Sequence, residues 1–176
     1  MNIHVPEWLS RLLFSFPPKE QAATDPVFGV LRYSGTGNVW VGAIPHLFPD
    51  EPNVELYLPK SEDDDFEWAR DKFLQFKSHW ASLYPDIVDS LYDYYTREVF
   101  DPKSKYDLPS KDRFQEIIEM SYLQIYNNQE QSLDHESPDY EVGFWSPICA
   151  IYDGCMRIQI TNWKLKDVYL FKGERS

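Results

Sequence analysis

The sequence predicts an α+β fold, in which an antiparallel sheet of about six to seven strands has a block of helices packed on one face. Segments with apolar residues at every second position lie towards both ends of the chain, whereas spacings of three and four residues dominate its middle. The connections between neighbouring strand-like segments have hairpin length, which is typical of antiparallel pairing. The predicted order of elements is therefore βββ-ααα-ββββ.

Length and composition indicate a single folded domain. The chain has 176 residues, of which 43% are hydrophobic and 16% are aromatic. This is enough apolar material for one core, and no stretch has the composition of a flexible linker. We therefore predict one α+β domain over residues 19–176.

An amphipathic helix is predicted within residues 1–18. Its apolar residues recur at helical spacing ahead of two prolines, which would end the helix. These apolar residues are Trp8, Leu9, Leu12, Leu13 and Phe16. Arg11 is the only Lys or Arg in this stretch, so the helix suits an anionic membrane surface poorly. We expect it to dock onto its own domain or onto a neighbouring subunit.

Three strands are predicted to open the domain. Residues 27–33 and 39–44 flank residues 34–38, whose two glycines and one asparagine are typical of a hairpin loop. Residues 54–58 alternate between apolar side chains and Glu or Tyr, as in a strand with one solvated face.

Three helices are predicted to follow. The first carries an apolar stripe made of Phe66, Ala69, Phe73, Phe76, Trp80 and Leu83. Pro85 suits the first turn of a helix, so we predict that a second helix begins there and extends to Val99. Ser110 is predicted to cap a third helix that runs through Ile118.

Four strands are predicted to close the domain, because alternation with a period of two returns after the third helix. They lie at residues 122–126, 142–144, 156–161 and 168–171.

Negative charge is the main clue to function. The net charge is −12, and five of the six residues from Glu62 to Glu67 are acidic. Such a chain repels phosphate backbones, so we expect no nucleic-acid ligand. The same field would attract a basic protein and accelerate its association. The alternative is that acidity serves solubility and that acidic residues stabilise the first turn of a helix.

The candidate partner-binding residues come from the first two predicted helices. They are Asp64, Glu67, Trp68 and Asp71 from the first helix, and Asp86, Asp89 and Asp93 from the second. If the two helices pack antiparallel, these seven residues could share one broad surface.

Residues suited to catalysis or metal binding show no motif-like spacing. The acidic residues 63–65 are consecutive and would diverge on a helix, and the segment lacks the Gly and distal Glu of a calcium-binding EF-hand loop. No nucleophile or cofactor motif occurs. We therefore predict no metal, no cofactor and no enzymatic activity. The alternative is an enzyme whose site is assembled from distant residues, for instance Cys155, His135 and Glu136.

Cysteine usage and hydropathy bear on the compartment. Cys149 and Cys155 lie in a chain large enough not to need a disulfide, which favours a reduced cytoplasmic protein. No apolar stretch approaches the roughly 18 residues of a membrane span. Glu7 and Arg11 interrupt the N-terminal apolar residues, so we expect no signal peptide.

One stretch resembles an uncharacterised bacterial domain family. Residues 25–31 read Asp-Pro-Val-Phe-Gly-Val-Leu, and they are followed by Trp-Val-Gly at residues 40–42 and by a third strand near residue 54. This resembles a D-P-x-F-G-x-L opening followed by W-x-G, and the similarity spans roughly residues 25–173. Members of that family often carry Gly-His before the penultimate strand, where this chain has Gly154 and Cys155.

The resemblance implies a role in bacterial competition, because such domains look like immunity proteins encoded beside toxins. It agrees in sign with the charge argument, since many toxins are basic nucleases. We therefore expect a cytoplasmic, acidic binding protein that neutralises a basic toxin by protein–protein interaction. A further alternative is a structural or homo-oligomeric protein that uses the N-terminal helix.

Overall fold

The computed structural model describes residues 21–44, 54–60, 65–103, 107–127, 138–147 and 154–172. The helix predicted within residues 1–18 lies outside these ranges. The described elements are β1 (Ala22–Asp25), β2 (Gly29–Ser34), β3 (Val39–Ile44), β4 (Val54–Pro59), α1 (Glu67–Tyr94), a π-helical turn (Tyr95–Val99), α2 (Lys111–Ile117), β5 (Glu119–Ile125), β6 (Tyr140–Trp145), β7 (Gly154–Thr161) and β8 (Lys164–Lys172).

The predicted α+β class is confirmed. The eight described strands form one sheet whose spatial order follows the sequence from β1 to β8. Neighbouring strands are antiparallel except β4 and β5, which are parallel across the helical crossover. The sheet is therefore mixed rather than purely antiparallel. It also contains one strand more than predicted, because the Ala-Ala-Thr-Asp sequence of β1 has no apolar alternation to reveal it.

The prediction of two long helices separated at Pro85 is wrong. One continuous helix, α1, runs from Glu67 to Tyr94 with Pro85 inside it. A proline removes one backbone hydrogen bond from a helix interior. Here the buried stripe continues beyond it through Ile87 and Leu91, so packing against the core holds the helix together.

Helix α1 crosses one face of the sheet. At its start, the Phe66 ring lies 5.7 Å from the Trp40 ring of β3, and in its middle Phe76 lies 5.3 Å from Tyr140 of β6. At its end, the Tyr94 hydroxyl accepts the backbone N–H of Leu170 in β8 at 3.0 Å. We call the opposite side of the sheet the open face, because no described helix packs on it.

The Asp-Pro-Val-Phe-Gly stretch forms the turn between β1 and β2. One carboxylate oxygen of Asp25 accepts the backbone N–H groups of Val27 and Phe28, at 2.8 and 3.0 Å. The other accepts Nη1 of Arg70 from α1 at 2.6 Å. The Phe28 ring packs edge-on against Phe73, with the centroids 5.5 Å apart. The motif that carries the family resemblance therefore anchors the β1–β2 hairpin to helix α1.

Two other local predictions are confirmed. The Ser110 hydroxyl caps α2 by accepting the backbone N–H of Arg113 at 3.3 Å. Between β2 and β3, Asn38 adopts a positive φ of 52° as expected in a hairpin loop, and its side chain accepts the Tyr33 hydroxyl at 2.7 Å.

Candidate functional site

Five of the predicted partner-binding residues lie along the outward side of α1. At about 100° per residue, they fall within an arc of about 100°, opposite the buried stripe. All five are exposed: Glu67, Asp71, Asp86, Asp89 and Asp93. We call these five residues the acidic face. The face is a single row along one continuous helix, so the condition for a broad surface, two helices packed antiparallel, is not met.

The acidic face has two charged parts with an uncharged middle. Asp71 and Asp86 are 15 positions apart, which is about 22 Å along a helix at 1.5 Å per residue. The exposed residues between them on the same side are Gln75, Ser78, Ser82 and Pro85. A partner that contacts both charged parts must therefore present positive charge at two places.

Nearby basic residues reduce the negative potential around the second charged part of the acidic face, which contains Asp86, Asp89 and Asp93. Lys111 at the start of α2 forms an ion pair with Asp89. Arg97 donates to the backbone carbonyl of Asp93 at 3.1 Å. Asp86 and Asp93 form no ion pair with another described side chain, so their carboxylates remain available to a partner.

The two remaining predicted residues contribute differently. Asp64 lies outside the described residues. Trp68 is half-buried and packs against the core, so only part of its ring is available to a partner. Asp65, which follows Asp64 in the acidic run, accepts a hydrogen bond from the backbone N–H of Glu67 at 3.0 Å. One residue of the run therefore satisfies a free backbone N–H group at the start of α1.

An aromatic pair borders the uncharged middle of the acidic face. The exposed His79 ring stacks on Trp163, with a centroid distance of 3.9 Å and an interplanar angle of 10°. Trp163 lies in the turn between β7 and β8 at a positive φ of 60°, and its ring also lies 5.4 Å from Tyr140. The pair packs against the edge of the core at the β7–β8 turn and adds an aromatic surface beside α1.

A second cluster, missed by sequence reasoning, occupies the open face of β5 to β8. Glu141 on β6 is only 3% exposed. Its carboxylate accepts four side-chain hydrogen bonds from three strands: Tyr122 Oη at 2.7 Å, Arg157 Nη1 at 3.1 Å, Gln159 Nε2 at 3.2 Å and Tyr169 Oη at 2.5 Å. The sequence signal was a Glu at an alternating position of an otherwise apolar or aromatic strand.

The electrostatics of this cluster keep Glu141 ionised. Burial alone would raise the pKa of its carboxyl group, but the hydrogen bonds from Tyr122, Tyr169 and Gln159 and the charge of Arg157 hold the pKa below its ordinary value. Burial and the bond to Glu141 raise the pKa of Tyr122 far above its ordinary value. A saturated carboxylate with a lowered pKa is a poor general base, so the cluster is suited to structure rather than proton transfer.

The enzyme alternative gains no support from the described residues. Cys155 is half-buried with a free thiol on β7, whereas His135 and Glu136 lie outside the described residues. Arg157, two residues after Cys155 on β7, has its guanidinium carbon 3.6 Å from the centroid of the Phe171 ring and 5.2 Å from that of the Tyr122 ring. These contacts fix the guanidinium group within the sheet face.

The described ranges contain no group of three or more His, Cys, Asp or Glu side chains arranged to hold a metal ion. Neither described α-helix combines the length and hydropathy needed to cross a bilayer. Comparisons of the chain with models of protein families, with curated proteins and with solved structures find no match.

Proposed function

We propose that this chain is a cytoplasmic binding protein without catalytic activity, which engages a basic protein through the acidic face of α1. The observation that carries the proposal is the alignment of five exposed carboxylates along the outward side of one helix, with one ion-paired to Lys111. With a net charge of −12, the whole molecule adds to the local field. Together these charges favour encounter with a positively charged surface.

The specific role that we propose is that of an immunity protein that neutralises a toxin. This role rests on the sequence resemblance of residues 25–31 and on the sign of the charge. A basic nuclease toxin would present Lys and Arg side chains around its own site, and the acidic face could cover them. Acidic residues would then provide steering, while Trp68 and the His79–Trp163 pair beside the face would provide aromatic contact area.

The proposal is tested with the product of the neighbouring gene, by pull-down and by association kinetics at several salt concentrations. In the test variant, Asp86→Lys and Asp93→Lys reverse two carboxylates that form no ion pair with another described residue. We expect the association rate constant at low salt to fall by about tenfold or more, with a flatter salt dependence.

A charge-matched control separates the acidic face from the net charge. Glu119→Lys together with Asp167→Lys changes the net charge equally, at exposed positions on β5 and β8. We expect the control to retain most of the wild-type rate. Equal effects of the two variants would remove the acidic face from the proposal, and a neighbouring gene product that is acidic or does not bind would overturn the immunity role.

A further inference from the structure

The open face differs between the two halves of the sheet. Over β5 to β8 it is filled by the network around Glu141. Over β2 and β3 it carries the apolar side chains of Val30, Val41 and Ala43, with no described element packed on them, together with Arg32, which pairs with Val41 across the two strands. Val30 is 57% exposed, whereas Leu31, which points to the other side of the same strand, is fully buried. The open face of β2 and β3 therefore has a patch of three apolar residues on which no described element packs.

The chain enters the described fold beside this surface. Gln21 is held at the edge of the sheet, where its backbone carbonyl accepts the N–H of Tyr33 at 2.8 Å. Strand β1 follows, and it places only the small side chains of Ala22 and Thr24 on the open face, in register with Arg32 and Val30. The side chains of β1 on this face are therefore small enough for a segment from residues 1–18 to pass over them and reach β2.

The segment that precedes β1 is long enough to reach across the open face from β1 to β4. The five steps along the chain from Phe16 to Gln21 span up to about 17 Å when extended. The edge strand β1 and β4 are three strand spacings apart, which is about 14 Å. A helix from Trp8 to Phe16 would add about 12 Å, enough to lie across β2 and β3.

We propose that residues 1–18 form an amphipathic helix that docks onto the open face of β2 and β3 in the same chain. The helix would present Trp8, Leu9, Leu12, Leu13 and Phe16 to the sheet. Docking would remove from water both the apolar stripe of the helix and the accessible parts of Val30 and Val41. At β2 and β3 the sheet would then be covered on both faces, with α1 on one side and the N-terminal helix on the other.

The proposal is tested by disulfide trapping in the full-length chain after Cys149→Ser and Cys155→Ser. Leu12→Cys is combined with Val41→Cys in one variant, and Leu9→Cys with Val30→Cys in a second, so that two registers of docking are sampled. A disulfide requires Cα atoms within about 7 Å. We expect at least one variant to form an intrachain disulfide, detected by intact mass and by mobility on a non-reducing gel.

The matched control places the second cysteine on the opposite side of the molecule. Leu12→Cys with Ser82→Cys uses an exposed position on the outward side of α1 and should remain reduced. Equal trapping in the control, or no trapping in either test variant, would overturn the proposal. A disulfide between two chains would also overturn it, because the occupant would then be a second copy.

Hydrogen exchange provides a readout that does not depend on cysteine substitutions. In the natural chain, we expect the amides of residues 8–16 to exchange more slowly than those of an isolated peptide of residues 1–18. Val30→Asp with Val41→Asp should abolish this protection. Unprotected amides in the natural chain, or protection that survives both substitutions, would contradict docking at this surface.

Discussion

At the residue scale, Gly143 shows how tightly the open face is packed. A Cβ atom at this position would lie 1.9 Å from the Tyr122 ring, a distance that no relaxed structure tolerates. The ring must move in a Gly143→Ala variant, and we expect this shift to break its hydrogen bond to Glu141. We expect a loss of about 2–4 kcal/mol in the free energy of unfolding, measured by urea denaturation.

Gly35→Ala is the matched control for this variant. A Cβ atom at Gly35 would meet no atom within 4 Å, and the residue is exposed. We expect its effect on the free energy of unfolding to stay within about 0.5 kcal/mol. An equally small effect of Gly143→Ala would show that the Tyr122 ring is not held where the structure places it.

Glu141 supplies the second prediction at this scale. Glu141→Gln keeps the shape of the side chain but removes the charge and leaves Arg157 without its buried partner. We expect a loss of about 3 kcal/mol in the free energy of unfolding. Glu55→Gln on β4, also on the open face but exposed, should change it by only about 0.5 kcal/mol. Similar losses in both variants would contradict a special role for the network.

The lowered pKa of Glu141 predicts a pH dependence. The ordinary pKa of its carboxyl group is 4.5, and the folded value lies below this. The unfolded chain therefore binds the proton more readily, so the stabilisation is present above about pH 4.5 and is lost as the pH falls through the folded pKa. We expect the free energy of unfolding of the natural chain to fall more steeply below pH 4.5 than that of Glu141→Gln. Parallel pH profiles would argue against this linkage.

At the element scale, Pro85 explains why sequence reasoning divided α1. A proline inside a helical pattern usually ends or kinks the helix, and proline is favoured at the first position of a new one. The local pattern does not reveal that the core holds both halves in line. The structure keeps Pro85 in the interior, where it removes a hydrogen bond to the carbonyl of Ala81.

Replacing this proline should therefore stabilise the helix. We expect Pro85→Ala to raise the free energy of unfolding by about 1–3 kcal/mol, because the restored N–H can bond to Ala81 and alanine suits a helix interior. Asp86→Ala, at the next exposed position, should have an effect within about 0.5 kcal/mol. A destabilised Pro85→Ala variant would mean that the helix is bent at this point and that packing depends on the bend.

At the scale of the whole molecule, the predictable features were those encoded by local spacing. Apolar residues at every second position predicted most of the strands, and the apolar stripe from Phe66 to Leu83 predicted the first half of α1. The parallel pairing of β4 with β5 depends on how a crossover of some 60 residues returns the chain, which no local pattern records. For the same reason the hydrogen-bond donors of Glu141 could not be assigned from the sequence, since Tyr122 and Tyr169 lie 19 and 28 residues away.

The path of α1 across the sheet predicts that the two halves unfold together. Phe73 contacts Phe28 at the β1–β2 turn, while the far end of the same helix contacts β8. We expect Phe73→Ala to lower the free energy of unfolding by about 3–5 kcal/mol. Because the helix joins both halves, amides in β2 and in β7 should lose hydrogen-exchange protection by the same factor.

Leu74→Ala is the matched control, since the neighbouring leucine is 58% exposed and contributes little to the core. It should leave protection in both strands close to that of the natural chain. If Phe73→Ala weakened protection in β2 but not in β7, the first four strands would open independently. The prediction of one cooperative domain over residues 19–176 would then fail, because the helix would not transmit its loss of packing to the second half of the sheet.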